Sequence, residues 1–177
     1  LTGAGSPGGP GIIKAILKEK NYFNLFLCDA NQNATGRYLL ERNFRIIPKA
    51  SDPNFIQCLL NICKKEKIKL IIPLVTLELF ELSNKKQLFK NNNIDILVSD
   101  YESLIKLNDK GLLYTHLKKN KIKVPKFELV SNKNEFSSAL RNLDYPNLPV
   151  VMKPRVSNGS RGVRIISDKF EKFDLLF

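Results

Sequence analysis

The sequence predicts an α/β fold: a parallel sheet wrapped by helices, followed by a smaller α+β piece. Two observations carry this expectation. From Leu25 to Val98, short apolar runs alternate with segments whose apolar residues recur at helical spacing, the rhythm of strand, helix, strand in a parallel sheet. Pro149–Ile166 then reads as strand, glycine-serine loop, strand, a hairpin rather than another crossover. At 177 residues, 43% of them hydrophobic, the chain is long enough for one good core and part of another.

Leu1 and Thr2 stand before a glycine turn, Gly3 to Gly11, that normally follows a full apolar strand, so a first strand cut short is expected. Ile12, Ile13, Ile16 and Leu17 recur at helical spacing up to Lys20, and Leu25–Asp29 reads as a strand ending in an acid. Gly3, Gly5 and Gly8, then a helix, a strand and Asp29 about twenty residues on, match the dinucleotide fingerprint. One reading is therefore an NAD-dependent epimerase or dehydrogenase, with pyrophosphate on the turn and ribose on Asp29. Against it, Gly9, Pro10 and Gly11 fall where a phosphate-binding helix needs a well-formed first turn. A tight turn without a ligand fits as well.

Asn31–Tyr38 reads as a polar turn, and Phe44–Ile47 as a short strand closed by Pro48. Ser51 and Asp52 are capping candidates with Pro53 at the first helical position, and Phe55, Leu59, Ile62 and Cys63 share one face of the helix that follows. Lys69–Ile72 is an apolar strand ended by Pro73. Thr76 is placed to cap a helix carrying Leu77, Phe80 and Leu88, and Ile94–Val98 is the next strand. Asp100–Leu107 is a short amphipathic helix. Asp109 is placed to cap a helix entered at Lys110, since a carboxylate is favoured at a helix start. Phe127–Val130 reads as a strand, Asn134–Arg141 as a helix beginning after Ser131 or Asn132, and Pro149–Lys153 as a strand. A further helix is expected from Asp168.

Within the last hairpin, Lys153 ends the apolar run, and Ser157, Asn158, Gly159, Ser160 and Gly162 leave the loop poor in side-chain bulk. Small residues let backbone N–H groups approach phosphate oxygens, and Lys153, Arg155 and Arg161 supply countercharge. The lysine precedes the loop and no helix follows, so this is not a G-x-x-x-x-G-K-[ST] loop. An exposed turn with incidental basic residues has the same composition.

Other classes find little support. The net charge of +12 is almost all lysine, concentrated between Lys64 and Lys123. It comes without aromatic–basic interleaving, helix-turn-helix spacing or a Cys/His finger. A solvated lysine-rich surface is the better reading, and a basic nucleic-acid-binding module the alternative. Cys28, Cys58 and Cys63 have no C-x-x-C spacing, which argues for reduced thiols in a cytoplasmic protein. No apolar run approaches the roughly 18 residues of a spanning helix, so no membrane partner is expected. His116 reads as a helix-face residue, and no nucleophilic triad is supported.

The segment P-V-V-x-K-P-R-x-x-x-G-S-R-G-V, Pro149–Val163, resembles the first nucleotide-covering hairpin of the ATP-grasp ligases, in the branch similar to the carbamoyl-phosphate synthase large subunit. Lys49–Phe55, Ile72–Leu79, and Asp109-Lys110 leading to Ile122–Pro125 are similar to that family as well. The resemblance implies a Rossmann-like pre-ATP-grasp domain over residues 1–107 and the truncated N-terminal part of an ATP-grasp domain over residues 108–177. It implies ATP and Mg²⁺ as cofactors. Lys110, Lys153, Arg155, Ser157, Gly159, Ser160, Arg161 and Gly162 would lie at the ATP, with Thr76 and Glu78 facing substrate. Such ligases phosphorylate a carboxylate or bicarbonate and let an amine displace the phosphate. The family's metal-binding residues lie in a C-terminal half outside this sequence, so no metal ligand and no catalytic residue is assigned, and the chain alone is expected to be inert as a ligase. The acceptor, the amine and any homo-oligomerisation stay open.

Overall fold

Thr2 sits at the centre of a parallel sheet. The computed structural model describes residues 1–19 and 21–167, and the chain falls into two units, Leu1–Leu104 and Ile105–Phe177. In the first, β1 (Leu27–Asp29) pairs parallel with β2 (Phe44–Ile46), and β3 (Leu70–Ile71) pairs parallel with β4 (Asp95–Ile96). Thr2 joins the two pairs through parallel bridges to Cys28 on one side and Pro73 on the other. The order is therefore β2, β1, Thr2, β3, β4. Parallel neighbours cannot be joined by a tight turn, and the helices α1 (Gly9–Lys18), α3 (Phe55–Lys65) and α4 (Thr76–Asn84) lie in the connections. Two five-residue helices, α2 (Thr35–Leu39) and α5 (Lys86–Lys90), complete them, and α6 (Tyr101–Asn108) follows β4.

The core follows the helical period. Phe55, Leu59, Leu60 and Cys63 on α3 are buried with Ile71, Leu82, Phe89 and Ile96 in one cluster, while Ile13 of α1 packs with Ala4 and Leu27 in another. Burying such an apolar stripe supplies most of a helix's stability, well beyond intrinsic propensity.

In the second unit, α7 (Lys110–Lys119) and α8 (Lys133–Asn142) accompany an antiparallel hairpin of β5 (Val150–Met152) and β6 (Arg164–Ile166), with Val150 opposite Ile166. Phe136 and Leu140 of α8 bury against Ile166, with Val150 and Met152 alongside. Asn132 caps α8 by accepting from the Glu135 amide at 2.9 Å, and the Glu135 carboxylate accepts from the Ser131 amide at 2.7 Å, a reciprocal capping arrangement.

Several local expectations change. Gly9, Pro10 and Gly11 form the first turn of α1 rather than interrupting it, with proline near N1, where its missing N–H costs nothing. Asn31–Tyr38 is not all turn, because α2 begins at Thr35. Neither Ser51 nor Asp52 caps α3, which starts later, at Phe55; Asp52 instead accepts from the Asn54 amide at 2.8 Å in a local turn. Thr76 is the first residue of α4 and makes no side-chain cap, and the single long helix expected there breaks at Lys85 into α4 and α5. Leu77, on α4, is 70% exposed. Phe127–Val130 forms no strand, since no ladder partner lies beside it among the described residues. The helix expected from Asp168 lies outside the described residues.

Candidate functional site

The glycine turn of the first unit is tied to its own chain. The Gly5 amide donates to Asp29 Oδ2 at 2.7 Å, and Asp29 Oδ1 accepts from the Asn31 amide at 2.8 Å. Gly3 adopts a φ of 67°, and a Cβ there would lie 2.4 Å from Val75 Cγ2, so only glycine fits the left-handed turn and the close packing together. Beside it, Thr2 Oγ1 donates to Glu78 Oε2 at 2.5 Å. Glu78 is 7% exposed. Burial pushes its carboxyl above the usual range, the Thr2 hydroxyl opposes that, and the Asp29 charge adds to it. Of the two residues expected to face substrate, Glu78 is thus turned inward onto Thr2, and Thr76 is half-buried at the start of α4.

In the second unit a cavity of about 650 Å³ opens between α7, the 125–130 segment, α8 and β5, lined by Lys110, Tyr114, Phe127, Leu129, Met152 and Lys153 among others. Its size and mostly apolar walls suit a small molecule with a few polar anchors. Asp109 caps α7, its Oδ1 accepting from the Gly111 and Leu112 amides at 2.8 and 3.1 Å. That cap puts Lys110 on the first turn, where its Nζ donates to Ser157 O and Oγ, each at 3.2 Å, and to Arg155 O at 3.3 Å. Lys153, at the end of β5, donates to the Tyr114 hydroxyl at 3.0 Å with its ammonium 5.1 Å from the ring centroid, a cation–π geometry. Tyr114 in turn packs on Phe127 with centroids 5.3 Å apart.

Arg155 pairs with Asp109 through two bonds, Nε to Oδ1 at 3.0 Å and Nη2 to Oδ2 at 2.8 Å. The guanidinium holds the Asp109 carboxyl below the usual carboxylate range, helped by the Leu112 and Gly111 amides. Beyond Ser157 the loop enters left-handed backbone at Gly159, Ser160 and Gly162, with φ of 61°, 59° and 74°. The amides of Gly159, Ser160 and Gly162 make no hydrogen bond among the described residues, whereas those of Arg161 and Val163 donate to Asn158 O and Ser160 O.

The structure therefore gathers Lys110, Lys153, Arg155 and Ser157 around the start of α7 and the end of β5, with Gly159–Gly162 continuing from them as an exposed loop. Sequence reasoning missed Tyr114 and Phe127. Tyr114 was findable: it stands four residues after Lys110, hence on the same helix face. Phe127 had no such signal, because its segment has no regular period. Among the described residues no three His, Cys, Asp or Glu side chains gather to hold a metal ion.

Comparison with solved structures gives the fold. N5-carboxyaminoimidazole ribonucleotide synthetase from Thermotoga maritima is 18% identical, with a TM-score of 0.60 over 95% of this chain and 40% of that one. Biotin carboxylase from Campylobacter jejuni, solved as a β,γ-ATP complex, is 15% identical, with a TM-score of 0.57 over 89% of this chain and 35% of that one. The biotin carboxylase domain of Hydrogenobacter thermophilus 2-oxoglutarate carboxylase, solved with MgADP, ADP and bicarbonate, is 14% identical with a TM-score of 0.54, over 88% and 34%. The fold is that of the N-terminal part of ATP-grasp enzymes, as the hairpin and Asp-Lys motifs imply, and the chain spans about two fifths or less of these proteins' length. The family model of the PylC-like N-terminal domain matches residues 2–97, more than half the chain, and the protein belongs to that family. Among curated proteins nothing matches. No helix among the described residues is long and apolar enough to cross a membrane.

Proposed function

We propose that this chain is the N-terminal portion of an ATP-grasp ligase, binding ATP in the cavity of its second unit to activate a carboxylate or bicarbonate as an acyl phosphate for attack by an amine. One observation carries the reading. Lys110 and Lys153, separated by a helix, a connection and a second helix in sequence, both line one cavity, and the chain beyond Arg155 on its rim continues into a loop whose amides at Gly159, Ser160 and Gly162 have no partner among the described residues. Two ammonium groups balance phosphate charge, and backbone N–H groups of the loop cover the terminal phosphates, which positions the γ-phosphoryl and excludes water. Arg161 and Ser160, on the exposed tip, are further phosphate contacts in this reading. Lys153 rests on Tyr114 and Lys110 on Ser157, and both would turn to phosphate oxygens. Magnesium, held by those oxygens and by residues outside this chain, would supply charge neutralisation. Thr76 and Glu78 are proposed to border the acceptor, Glu78 through its bond to Thr2 beside the glycine turn.

Calorimetric titration with ATP–Mg²⁺ and separately with NAD⁺ tests this, alongside Lys153→Ala. ATP should bind, and the variant should bind it about tenfold or more weakly, as expected for a lost charge-assisted contact. NAD⁺ binding untouched by Lys153→Ala, or no ATP binding at all, would refute it.

A further inference from the structure

Arg155 is placed differently from the other basic residues around the loop. Both of its bonds to Asp109 are short, and Asp109 Oδ1 simultaneously accepts the Gly111 and Leu112 amides, so one carboxylate spans the guanidinium and the start of α7. The Asp109 side chain is only 17% exposed. The Lys110 amide donates to Arg155 O at 3.0 Å, and the Lys110 ammonium reaches Ser157. Consecutive residues of the helix start thus hold the root of the loop by side chain and backbone alike. The space is also shaped for the pair: a Cβ on Gly111 would lie 2.8 Å from Arg155 Nε and 3.0 Å from Leu129 Cδ2. Lysine could not replace this contact, because only the planar fork reaches both carboxylate oxygens at once.

We propose that Arg155 is a positioning residue rather than a phosphate contact: its paired bonds to Asp109 anchor the root of the glycine loop to α7. The tip, Asn158–Gly162, then folds over the terminal phosphates from a fixed pivot. The root carries the Asp109, Lys110 and Ser157 bonds just described, while among the described residues the tip's own hydrogen bonds are Arg161 N to Asn158 O at 3.3 Å and Val163 N to Ser160 O at 3.2 Å. A guanidinium already spent on a carboxylate is a poor phosphate ligand, since leaving Asp109 would strand a mostly covered charge. For its ligand the inference rests on the ATP reading; for the anchor itself it does not.

The test is a double-mutant cycle on the whole chain with Arg155→Lys, Asp109→Asn and the pair. Asp109→Asn keeps an Oδ1 acceptor for the Gly111 amide, so the helix cap survives, and Arg155→Lys leaves the cap untouched. Hydrogen exchange at the Arg161 and Val163 amides reads the loop, with the α8 amides as internal reference. Each single variant should speed loop exchange about fivefold, the scale of a favourable exposed ion pair. The double variant should go no further, and α8 should not change. ATP should bind about fivefold more weakly in each single variant and no more weakly in the double, while AMP, lacking the phosphates under the loop, keeps its affinity. Loop exchange in Asp109→Asn equal to wild type would overturn the anchor. So would weakened ATP binding in Arg155→Lys alone, the pattern of a direct phosphate contact, or losses that multiply in the double variant. A wild-type chain that binds no ATP defeats the ligand reading, and the exchange cycle still decides the anchor.

Discussion

Thr2→Val removes one hydroxyl from the centre of the first sheet with little change in volume. That hydroxyl donates to Glu78 Oε2 at 2.5 Å, and the two residues are 1% and 7% exposed. Burial pushes the Glu78 carboxyl up, and the Thr2 donor is what opposes it most. Without the donor the carboxylate keeps its desolvation cost, so the variant should lose ~1–3 kcal/mol, the penalty for an unsatisfied buried group. The sign with pH follows from the direction of the shift. Because the folded pKa is raised, Glu78 contributes stability that is fully present below its unfolded pKa and is lost as pH rises through the folded value. Valine widens that gap, so the loss should be larger at about pH 8 than at about pH 5. Denaturant unfolding of the whole chain at both pH values measures it, and thermal unfolding should shift by about 4–8 °C per kcal/mol for a unit of this size. Glu78→Gln, which keeps an oxygen for Thr2 and removes the charge, should be at least as stable as wild type at the higher pH and show a flatter pH profile. A Glu78→Gln loss above ~1 kcal/mol there would refute the reasoning, because it would mean the buried charge itself is stabilising.

Two further outcomes follow from the same structure. Burial pushes the Cys28 and Cys63 thiols up to about 11 and about 12, leaving a thiolate fraction of roughly 10⁻³ or less near pH 8. Iodoacetamide should therefore modify the half-buried Cys58 first, and equal labelling of all three by mass spectrometry would contradict the packing around α3. Gly162 has a φ of 74° and would place a Cβ 2.7 Å from Pro154 Cγ, whereas Gly159, at 61°, faces open space. Gly159→Ala should cost the loop only the ~1–2 kcal/mol of left-handed backbone and Gly162→Ala distinctly more, seen as faster exchange at Val163; equal effects would disprove the packing role of Pro154.

Much of this fold was legible because the sequence repeats its signals. Phe55, Leu59 and Cys63 state the α3 face by spacing alone, and Val150–Met152 and Arg164–Ile166 flank a loop that only a hairpin can close. Asp109 at a helix start is a local rule obeyed locally. What stayed hidden depends on partners distant in sequence. Phe127–Val130 has strand composition and no ladder beside it, a tertiary fact no window can contain. Asp109 and Arg155 lie 46 positions apart, and neither residue's neighbours announce the pairing. Glu78 pairs with Thr2, 76 positions earlier in the sequence, and nothing in the helix around Glu78 announces that partner.

The two glycine loops give the sharpest contrast between composition and use. Both read as candidate phosphate cradles. In the first, Gly5 N goes to Asp29, Ser6 N to Gly3 O and Gly9 N to Ser6 O, so the donors a pyrophosphate would need are largely engaged by the protein. The same Asp29 that would greet a ribose is occupied in closing that turn. In the second, the amides of Gly159, Ser160 and Gly162 have no partner among the described residues, and left-handed backbone at all three keeps them unpaired by any helix or ladder. Backbone donors left open at an exposed tip, a few residues along the chain from a cavity edged by two lysines, persist only where solvent or a ligand satisfies them. An anion with several oxygens in a row meets that need with the least reorganisation, which is why we propose the second loop and not the first for the nucleotide.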